Sequence, residues 1–183
     1  MEKIEEHNGQ KWSMEELKRL SVEGYKEAVK FPITIVLDNV RSMHNVGSIF
    51  RTSDAFRVEQ IALCGITAQP PHREISKTAL GATESVHWQY HETTIECIQK
   101  LKSEGYDIFA IEQVKGSVML NKIVFETEKK TAFVFGNEVF GVSEEVLNTC
   151  DGFIEIPQFG TKHSFNISIS VGIVLWHYFV SRR

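Results

Sequence analysis

The chain has little of the chemistry that marks several common protein classes. Its three cysteines, Cys64, Cys97 and Cys150, lie far apart and form no CxxC or Cys/His cluster. Neither a zinc site nor a disulfide framework is therefore indicated, and we expect the cysteines to be small core residues of a protein that holds no metal. The formal net charge of −4 gives no sign of a generally basic nucleic-acid binder, so any basic patch must be local.

Long hydrophobic runs and targeting signals are also missing. The N-terminus, MEKIEEHNGQ, lacks the apolar segment of a signal peptide, and Ser168, Ser170 and His177 interrupt the longest apolar run, near the C-terminus. Both observations argue against a secretory or membrane-spanning segment. They predict a cytoplasmic protein with no membrane partner.

Two nucleotide-binding motifs are absent as well. Residues Gly136 to Gly141 have the G-x-x-x-x-G spacing of a phosphate loop, but Val142-Ser143 follows where Lys-Ser/Thr is required. No G-x-G-x-x-G follows any predicted strand. Nucleotide hydrolysis and dinucleotide redox chemistry therefore lose their usual sequence support.

What the sequence does contain is an alternation of β-branched and helical segments. Strands are predicted over 33–37, 59–64, 86–90, 107–112, 131–135 and 153–156, and helices over 45–56, 93–103, 144–147 and from 164 onward. This order predicts an α/β fold with a mostly parallel sheet and helices on both faces. In such folds ligands lie at the carboxyl ends of the strands.

The chain divides into a short extension and one domain. Residues 1–30 are predicted to be an N-terminal extension with a short helix, whose capping box is Ser13-Met14-Glu15-Glu16. Residues 31–183 form a single predicted domain, long enough to bury its own core. A Pro-containing loop over 65–76 is a candidate lid or substrate-binding segment.

The C-terminal helix is apolar on two faces. Ile167, Val171, Val174 and Tyr178 share one face, and a second face carries Ile169, Ile173, Trp176 and Val180. A helix of this kind is buried on both sides. We expect the sheet to cover one face and a second subunit to cover the other.

Three segments that follow strands resemble the motifs of the SpoU/TrmH branch of the SPOUT RNA methyltransferases. They read Asn45-x-Gly47-x-x-x-Arg51, Phe135-Gly136-Asn137-Glu138-x-x-Gly141-Val142-Ser143, and Ile156-Pro157 with Ser164-Phe165-Asn166. The resemblance covers roughly 33–178, with the motifs in the right order. It implies a trefoil-knotted α/β fold from about Phe133 onward, a homodimer, S-adenosylmethionine bound in the knot, and methyl transfer to a ribose 2′-hydroxyl of tRNA or rRNA.

The resemblance also implies roles for individual residues. Arg51 holds the catalytic position, and because an arginine with its usual pKa above ~12 is a poor base, we expect it to clamp a phosphate and polarise the 2′-hydroxyl. Asn45 would orient Arg51 or the ribose, Glu138 would pair with Arg51 or Asn45, and Asn166 would bond the catalytic loop or the ribose. The structural alternatives are a surface charge for Arg51, an N-cap for Asn45, a solvated carboxylate for Glu138 and a buried cap for Asn166.

Cofactor and RNA contacts follow from the same resemblance. The implied cofactor-binding residues are Ile111, Gly136, Ile156, Ser164 and Phe165, with backbone groups reading the adenine edge and Gly136 leaving room for the ligand. Ile156 and Phe165 are equally compatible with the core, and Phe165 stands where the family usually has Leu or Met. Candidates for phosphate contact are Arg41, Arg57, Arg73 and Lys77, for which a solvated surface position is the alternative.

Two other functions stay open on the sequence alone. One is a non-catalytic RNA-binding or assembly module on the same knotted fold, which would bind S-adenosylmethionine weakly or not at all. The other is a small-molecule enzyme on an ordinary doubly wound sheet. The presence of Arg51, Glu138 and Asn166 together favours catalysis.

Overall fold

The computed structural model of the protein describes residues 9, 11–13 and 15–182. Seven strands are formed: β1 (Phe31–Asp38), β2 (Val58–Cys64), β3 (His87–His91), β4 (Asp107–Ile111), β5 (Val118–Met119), β6 (Thr131–Phe135) and β7 (Gly152–Glu155). The helices are α1 (Val22–Glu27), α2 (Met43–Ala55), α3 (Arg73–Ala79), α4 (Ala82–Ser85), α5 (Thr94–Ser103), α6 (Glu144–Leu147) and α7 (Ile167–Ser181). A 3₁₀ turn covers Leu120–Lys122.

All seven strands belong to one parallel sheet with the order β3-β2-β1-β6-β4-β7-β5. The central strands β1 and β6 pair in register from Ile33 opposite Thr131 to Leu37 opposite Phe135. Parallel strands buried on both faces read as continuous apolar runs, as Ile33 to Leu37 does. The predicted α/β fold with a parallel sheet is therefore confirmed.

The two faces of the sheet are packed with different side chains. On β1 and β6, Ile35, Leu37 and Phe133 point to the face covered by α2 and α7, where the larger of two core clusters lies. The opposite face, covered by α5 and α6, receives Ala132 and Val134 in a cluster of smaller side chains. This alternation follows from the two-residue period of a strand, and it places helices on both sides as predicted. Cys64 and Cys97 are fully buried in the second cluster, so they are core residues as expected.

The N-terminal segment differs from its prediction. The capping-box hydrogen bonds do form, since the Ser13 N–H donates to Glu16 and the Glu16 N–H donates to Ser13 Oγ. The chain then makes only a turn, in which Lys18 has a φ of 46°, because a left-handed residue cannot continue an α-helix. The helix begins later, at Val22, with Ser21 as its N-cap. Met14, part of the predicted box, lies outside the described residues.

Two further boundaries are corrected. Helix α2 begins at Met43 with Ser42 as its N-cap, because Ser42 Oγ accepts from the Asn45 N–H at 3.2 Å. Asn45 therefore lies in the first turn, and its predicted capping role is wrong. The predicted loop over 65–76 is shorter than expected, since α3 starts at Arg73.

Helix α7 has the two apolar faces that the sequence predicts. Val171, Val174 and Tyr178 are buried against the sheet and α2. On the other face Ile169 and Trp176 are more than half exposed. In the described part of the chain no helix has both the length and the apolar character needed to cross a membrane.

Candidate functional site

Three loops meet at the carboxyl edge of the central strands. We name them the β1 loop (residues 39–42), the β6 loop (residues 136–143) and the β7 loop (residues 156–166), after the strand that each follows. The strand order places β1, β6, β4 and β7 side by side. Since the strands are parallel, their three loops lie at one edge, as the sequence predicts.

The Glu138 carboxylate joins the β6 loop to the start of α2. It accepts hydrogen bonds from the backbone N–H of Arg41 at 3.0 Å, from that of Ser42 at 2.9 Å and from Asn45 Nδ2 at 3.1 Å. Partial burial raises the pKa of Glu138, but these donors outweigh burial and hold the pKa below its ordinary value. The carboxylate is therefore a fixed, ionised anchor at neutral pH.

Asn45 links this anchor to the β7 loop. While its Nδ2 donates to Glu138, its Oδ1 accepts from Asn166 Nδ2 at 3.1 Å. Asn166 is also the N-cap of α7, accepting from the Ser168 N–H at 2.9 Å. Asn45, Glu138 and Asn166 thus form one hydrogen-bonded group, which we call the amide–carboxylate cluster. The predicted pairing of Glu138 with Asn45 is present, and Asn166 is both cap and cluster member, although it is exposed rather than buried.

Two asparagines support the cluster without having been singled out in the sequence. Asn137 Nδ2 donates to the Asn39 carbonyl at 2.8 Å, and Asn137 Oδ1 accepts from the Val139 N–H at 2.9 Å. Asn39 has a φ of 56°, and its Oδ1 accepts from the Ile66 N–H at 3.1 Å. The signal for Asn137 is its position inside the Phe135-Gly136-Asn137-Glu138 segment. Asn39 follows Asp38 at the end of β1, a pattern typical of an ordinary turn.

Gly136 is required by the β6 loop itself, a reason that the sequence did not indicate. A Cβ built there would lie 2.1 Å from the Gly141 carbonyl carbon and 2.2 Å from the Val142 nitrogen. The two ends of the β6 loop approach closely because Asn137 and Gly141 exchange two backbone hydrogen bonds of 2.9 Å. The glycine therefore makes room for the loop's own backbone, and the predicted room for a ligand stays a prediction.

A cavity of about 710 Å³ opens between the β6 loop, the β7 loop and the end of β4. All five predicted cofactor residues line it: Ile111, Gly136, Ile156, Ser164 and Phe165. Its volume lies within the range of roughly 300–1,000 Å³ typical of small-molecule sites. Among the described residues, the backbone of Ser164 and Phe165 makes no hydrogen bond, so these groups are free to bind an adenine edge. The donor set and the apolar walls fit S-adenosylmethionine.

Among the described residues, Arg51 is not hydrogen-bonded to the cluster. It is exposed on the third turn of α2, six residues after Asn45, which corresponds to a rise of about 9 Å. Its neighbour Thr52 faces α7, with Thr52 Cγ2 4.0 Å from where a Gly172 Cβ would stand. Within the described residues no hydrogen bond joins Arg51 to Glu138 or Asn45, so of the two predicted partners of Glu138 the structure shows Asn45 and not Arg51.

The four predicted RNA contacts divide into two groups. Arg41 and Arg73 are exposed at the carboxyl edge, and Lys77 lies one turn after Arg73 with its ammonium 2.7 Å from Glu74 Oε1. Arg57 packs over the Phe31 ring at the start of β2. That end of the sheet is opposite the three loops, so its location does not favour a shared RNA site.

Metal ligands are not clustered in the part of the chain that the structure describes. No group of three His, Cys, Asp or Glu side chains there is arranged to hold an ion.

Comparison with known proteins gives consistent matches. The model of the SpoU rRNA Methylase family matches residues 32–176. The tRNA (guanosine(18)-2′-O)-methyltransferase of Thermus thermophilus is 31% identical over 144 residues, which cover 79% of this chain and 72% of that protein. The chain therefore spans about seven tenths of that relative.

Two solved structures have the same fold. The A. aeolicus TrmH/SpoU tRNA modifying enzyme gives a TM-score of 0.75 at 27% identity, covering 85% of this chain and 78% of that one. The AdoMet-bound rRNA methyltransferase of Sinorhizobium meliloti gives 0.74 at 27% identity, covering 87% of this chain and 60% of that one.

Proposed function

Because the chain belongs to the SpoU rRNA methylase family, we propose that it methylates a ribose 2′-hydroxyl of tRNA or rRNA with S-adenosylmethionine. The observation that carries this proposal is the amide–carboxylate cluster. Its three members come from the three family motifs, and hydrogen bonds hold them together beside a cavity of cofactor size. When bound, the cofactor supplies an electrophilic methyl group on its sulfonium.

The cavity residues hold the cofactor in this proposal. Ile111, Ile156 and Phe165 provide apolar contact, while the backbone of Ser164 and Phe165 bonds the adenine edge. Gly136 shapes the cavity by letting the β6 loop close. Calorimetry with S-adenosylmethionine tests this part, and it also separates catalysis from a non-catalytic RNA-binding module, which would give weak or no binding.

The cluster positions the ribose and does not remove its proton. Glu138 is a poor base because its carboxylate already accepts three hydrogen bonds and its pKa is lowered. Its role is to fix Asn45, whose amide in turn holds the end of the β7 loop through Asn166. Correct placement of reacting groups supplies much of the rate in a methyl transfer of this kind.

Arg51 is proposed to clamp the substrate phosphate and polarise the 2′-hydroxyl. Its guanidinium is exposed, so it is accessible to RNA. Arg51→Ala should abolish methyl transfer to RNA without changing the denaturant midpoint of unfolding. Arg51→Lys keeps the positive charge but lacks the planar guanidinium that can bind a phosphate through two N–H groups. Full activity of Arg51→Ala would contradict the assigned role.

We also propose a homodimer formed through the outer face of α7. Ile169, Trp176 and Val180 are each more than half exposed on this face, and contiguous apolar surface of this kind marks interaction sites. Light scattering of the protein at micromolar concentration tests the dimer, and Trp176→Glu should yield monomers. A wild-type monomer at that concentration would contradict it.

Two features of chain organisation complete the proposal. Residues 31–183 form one domain that follows an extension of residues 1–30, and the chain from about Phe133 onward is knotted. The insertion of β6 between β1 and β4, and of β7 between β4 and β5, supports a threaded path. A fully extended chain without a knot spans about 3.3–3.6 Å per residue. If a knot persists, the chain unfolded by pulling on its two ends should be measurably shorter than this.

The RNA substrate is proposed only as tRNA or rRNA, in the cytoplasm where both occur. The relatives are named for both kinds of RNA. Mass-spectrometric mapping of ribose methylation in RNA from cells with and without the gene would identify the nucleotide. An unchanged methylation map, together with no methyl transfer in vitro, would overturn the proposed function.

A further inference from the structure

The tip of the β6 loop presents an exposed phenylalanine beside the amide–carboxylate cluster. Phe140 has 83% of its surface exposed, and it lines the cavity together with Glu138 and Asn166. An exposed aromatic ring loses the favourable free energy of burial. Neither core cluster includes Phe140, so its ring is not needed to fill the core.

The backbone under Phe140 is fixed by hydrogen bonds. Asn137 and Gly141 close the loop with two backbone bonds, and Asn137 Oδ1 accepts from the Phe140 N–H at 3.3 Å. Asn137 and Glu138 also tie the loop to the β1 loop through Asn39, Arg41 and Ser42. The ring is therefore exposed on a rigid loop, so little backbone conformational entropy is lost when a ligand binds.

The surroundings of Phe140 match an RNA strand. The Arg41 N–H donates to Glu138, so the β1 loop, which carries the exposed Arg41, is bonded to the β6 loop. Arg73 is exposed at the same edge of the sheet. Sequence-specific RNA recognition stacks unpaired bases on aromatic side chains, while cationic side chains contact the phosphates. An exposed aromatic ring that lines the cavity, on a loop bonded to the loop that carries Arg41, supplies both elements.

From this geometry we propose that Phe140 is a stacking platform for an unpaired nucleobase at or next to the methylated nucleotide. This inference rests on the proposed function for its site and adds a residue that sets RNA affinity. Phe140 positions the strand so that the ribose reaches the cluster. It makes no contact with the reacting atoms, so it is a positioning residue.

The test uses the full chain and two labelled ten-residue probes, oligoadenylate and its abasic ribose-phosphate counterpart, in a fluorescence anisotropy titration. Stacking on one base corresponds to a loss of about 5-fold to 150-fold in affinity upon alanine substitution. Phe140→Ala should therefore weaken binding of oligoadenylate by at least about 5-fold and leave the abasic probe unaffected. Phe140→Trp should restore binding, and Phe140→Leu, which is apolar but not aromatic, should not.

Phe159→Ala is the matched control. Phe159 is 97% exposed on the β7 loop, but it does not line the cavity, so its removal should leave both affinities unchanged. Equal loss on both probes, or equal affinity of Phe140→Ala and wild type for oligoadenylate, overturns the inference. A Phe140→Ala protein that turns from dimer to monomer in light scattering also overturns it, because the ring would then serve a second copy of the chain.

Failure of the proposed function is a separate result. If the wild type transfers no methyl group to total RNA from cells lacking the gene, the proposed reaction is wrong, while the anisotropy data still decide the role of Phe140. If the wild type is active, Phe140→Ala should raise the KM for RNA by at least about 5-fold with kcat changed less. An unchanged KM contradicts the inference alone.

Discussion

The β6 loop closes on itself through two backbone hydrogen bonds and is tied to the β1 loop by the side chains of Asn137 and Glu138. The β7 loop is built differently. Residues 159–166 are all exposed, and across 157–165 the described residues make one hydrogen bond, from Gln113 Nε2 to the His163 carbonyl at 2.5 Å. One wall of the cavity is thus rigid before any ligand binds, and the other still has free backbone groups.

The contrast between these loops separates two tasks. A rigid loop fixes side chains for the reaction without an entropic cost at the moment of binding. A loop with unpaired N–H and C=O groups lets a ligand supply the missing partners. We infer that the β6 loop positions the reacting groups and that cofactor binding orders the β7 loop. The predictions below test this difference.

The largest effect is expected for a methyl group added inside the rigid loop. Gly136→Ala would place its Cβ about 2 Å from backbone atoms of Gly141 and Val142, which cannot rotate away. Overpacking of this kind typically costs about 1–3 kcal/mol, and we expect a loss at or above about 3 kcal/mol in the free energy of unfolding measured with urea. In the β7 loop a Cβ on Gly160 meets nothing within 4 Å, so Gly160→Ala should change stability by less than about 0.5 kcal/mol.

A smaller loss is expected when the anchor of the rigid loop is neutralised. Glu138→Gln keeps the shape but replaces one accepting oxygen with an amide, so one donor among Arg41, Ser42 and Asn45 loses its partner. Because the site is partly exposed, we expect a loss of about 1 kcal/mol at neutral pH. Glu92→Gln, at an exposed carboxylate without a hydrogen bond among the described residues, is the control.

The effect of Glu138→Gln should depend on pH in one direction. The folded-state pKa of Glu138 is lowered from its ordinary 4.5, so the carboxylate contributes stability that is fully present above pH 4.5. That contribution is lost as the pH falls through the lowered folded-state pKa. The difference in unfolding free energy between wild type and variant should therefore shrink below pH 4.5, and a difference that grows on acidification would contradict the assignment.

Asn166 allows its two functions to be separated with little change in stability. Asn166→Asp keeps the oxygen that caps α7 at Ser168 but replaces the Nδ2 that donates to Asn45 with an acceptor. Aspartate caps helices as well as asparagine does, so the unfolding free energy should change by less than about 0.5 kcal/mol. Methyl transfer should fall by about 10-fold or more, since a misplaced site commonly loses up to ~10²-fold in rate.

The smallest effect on stability is expected for the β7 loop, whose ordering is measured as protection from cleavage by trypsin. Lys162 is exposed in the β7 loop, and trypsin should cut after it slowly once S-adenosylmethionine is bound. Lys18, exposed in the turn before α1 and not part of the cavity lining, serves as the reference cleavage site within the same digest. Equal cleavage after Lys162 with and without the cofactor would contradict ordering of the β7 loop.

Sequence reasoning was accurate where local pattern decides the outcome. The strand Ile33 to Leu37 and the short helix over 144–147 form as predicted, the first from a β-branched run and the second behind the serine cap Ser143. It failed where two local patterns compete. Ser42 rather than Asn45 caps α2, although both residue types cap helices well. The capping box at Ser13 leads into a turn instead of a helix, because Lys18 adopts a left-handed φ that its residue type does not predict.

By itself, the sequence determined the parallel α/β fold, the two apolar faces of α7 and the cavity residues near Gly136 and Ser164, because side-chain period and motif order encode them. Tertiary structure alone decided which side chains meet. Asn45 and Asn166 are 121 residues apart, and only the sheet order β1-β6-β4-β7 brings their amides together. The same packing left Arg51 outside the cluster and made Gly136 a requirement of its own loop, since both depend on distances between segments that are remote in the chain.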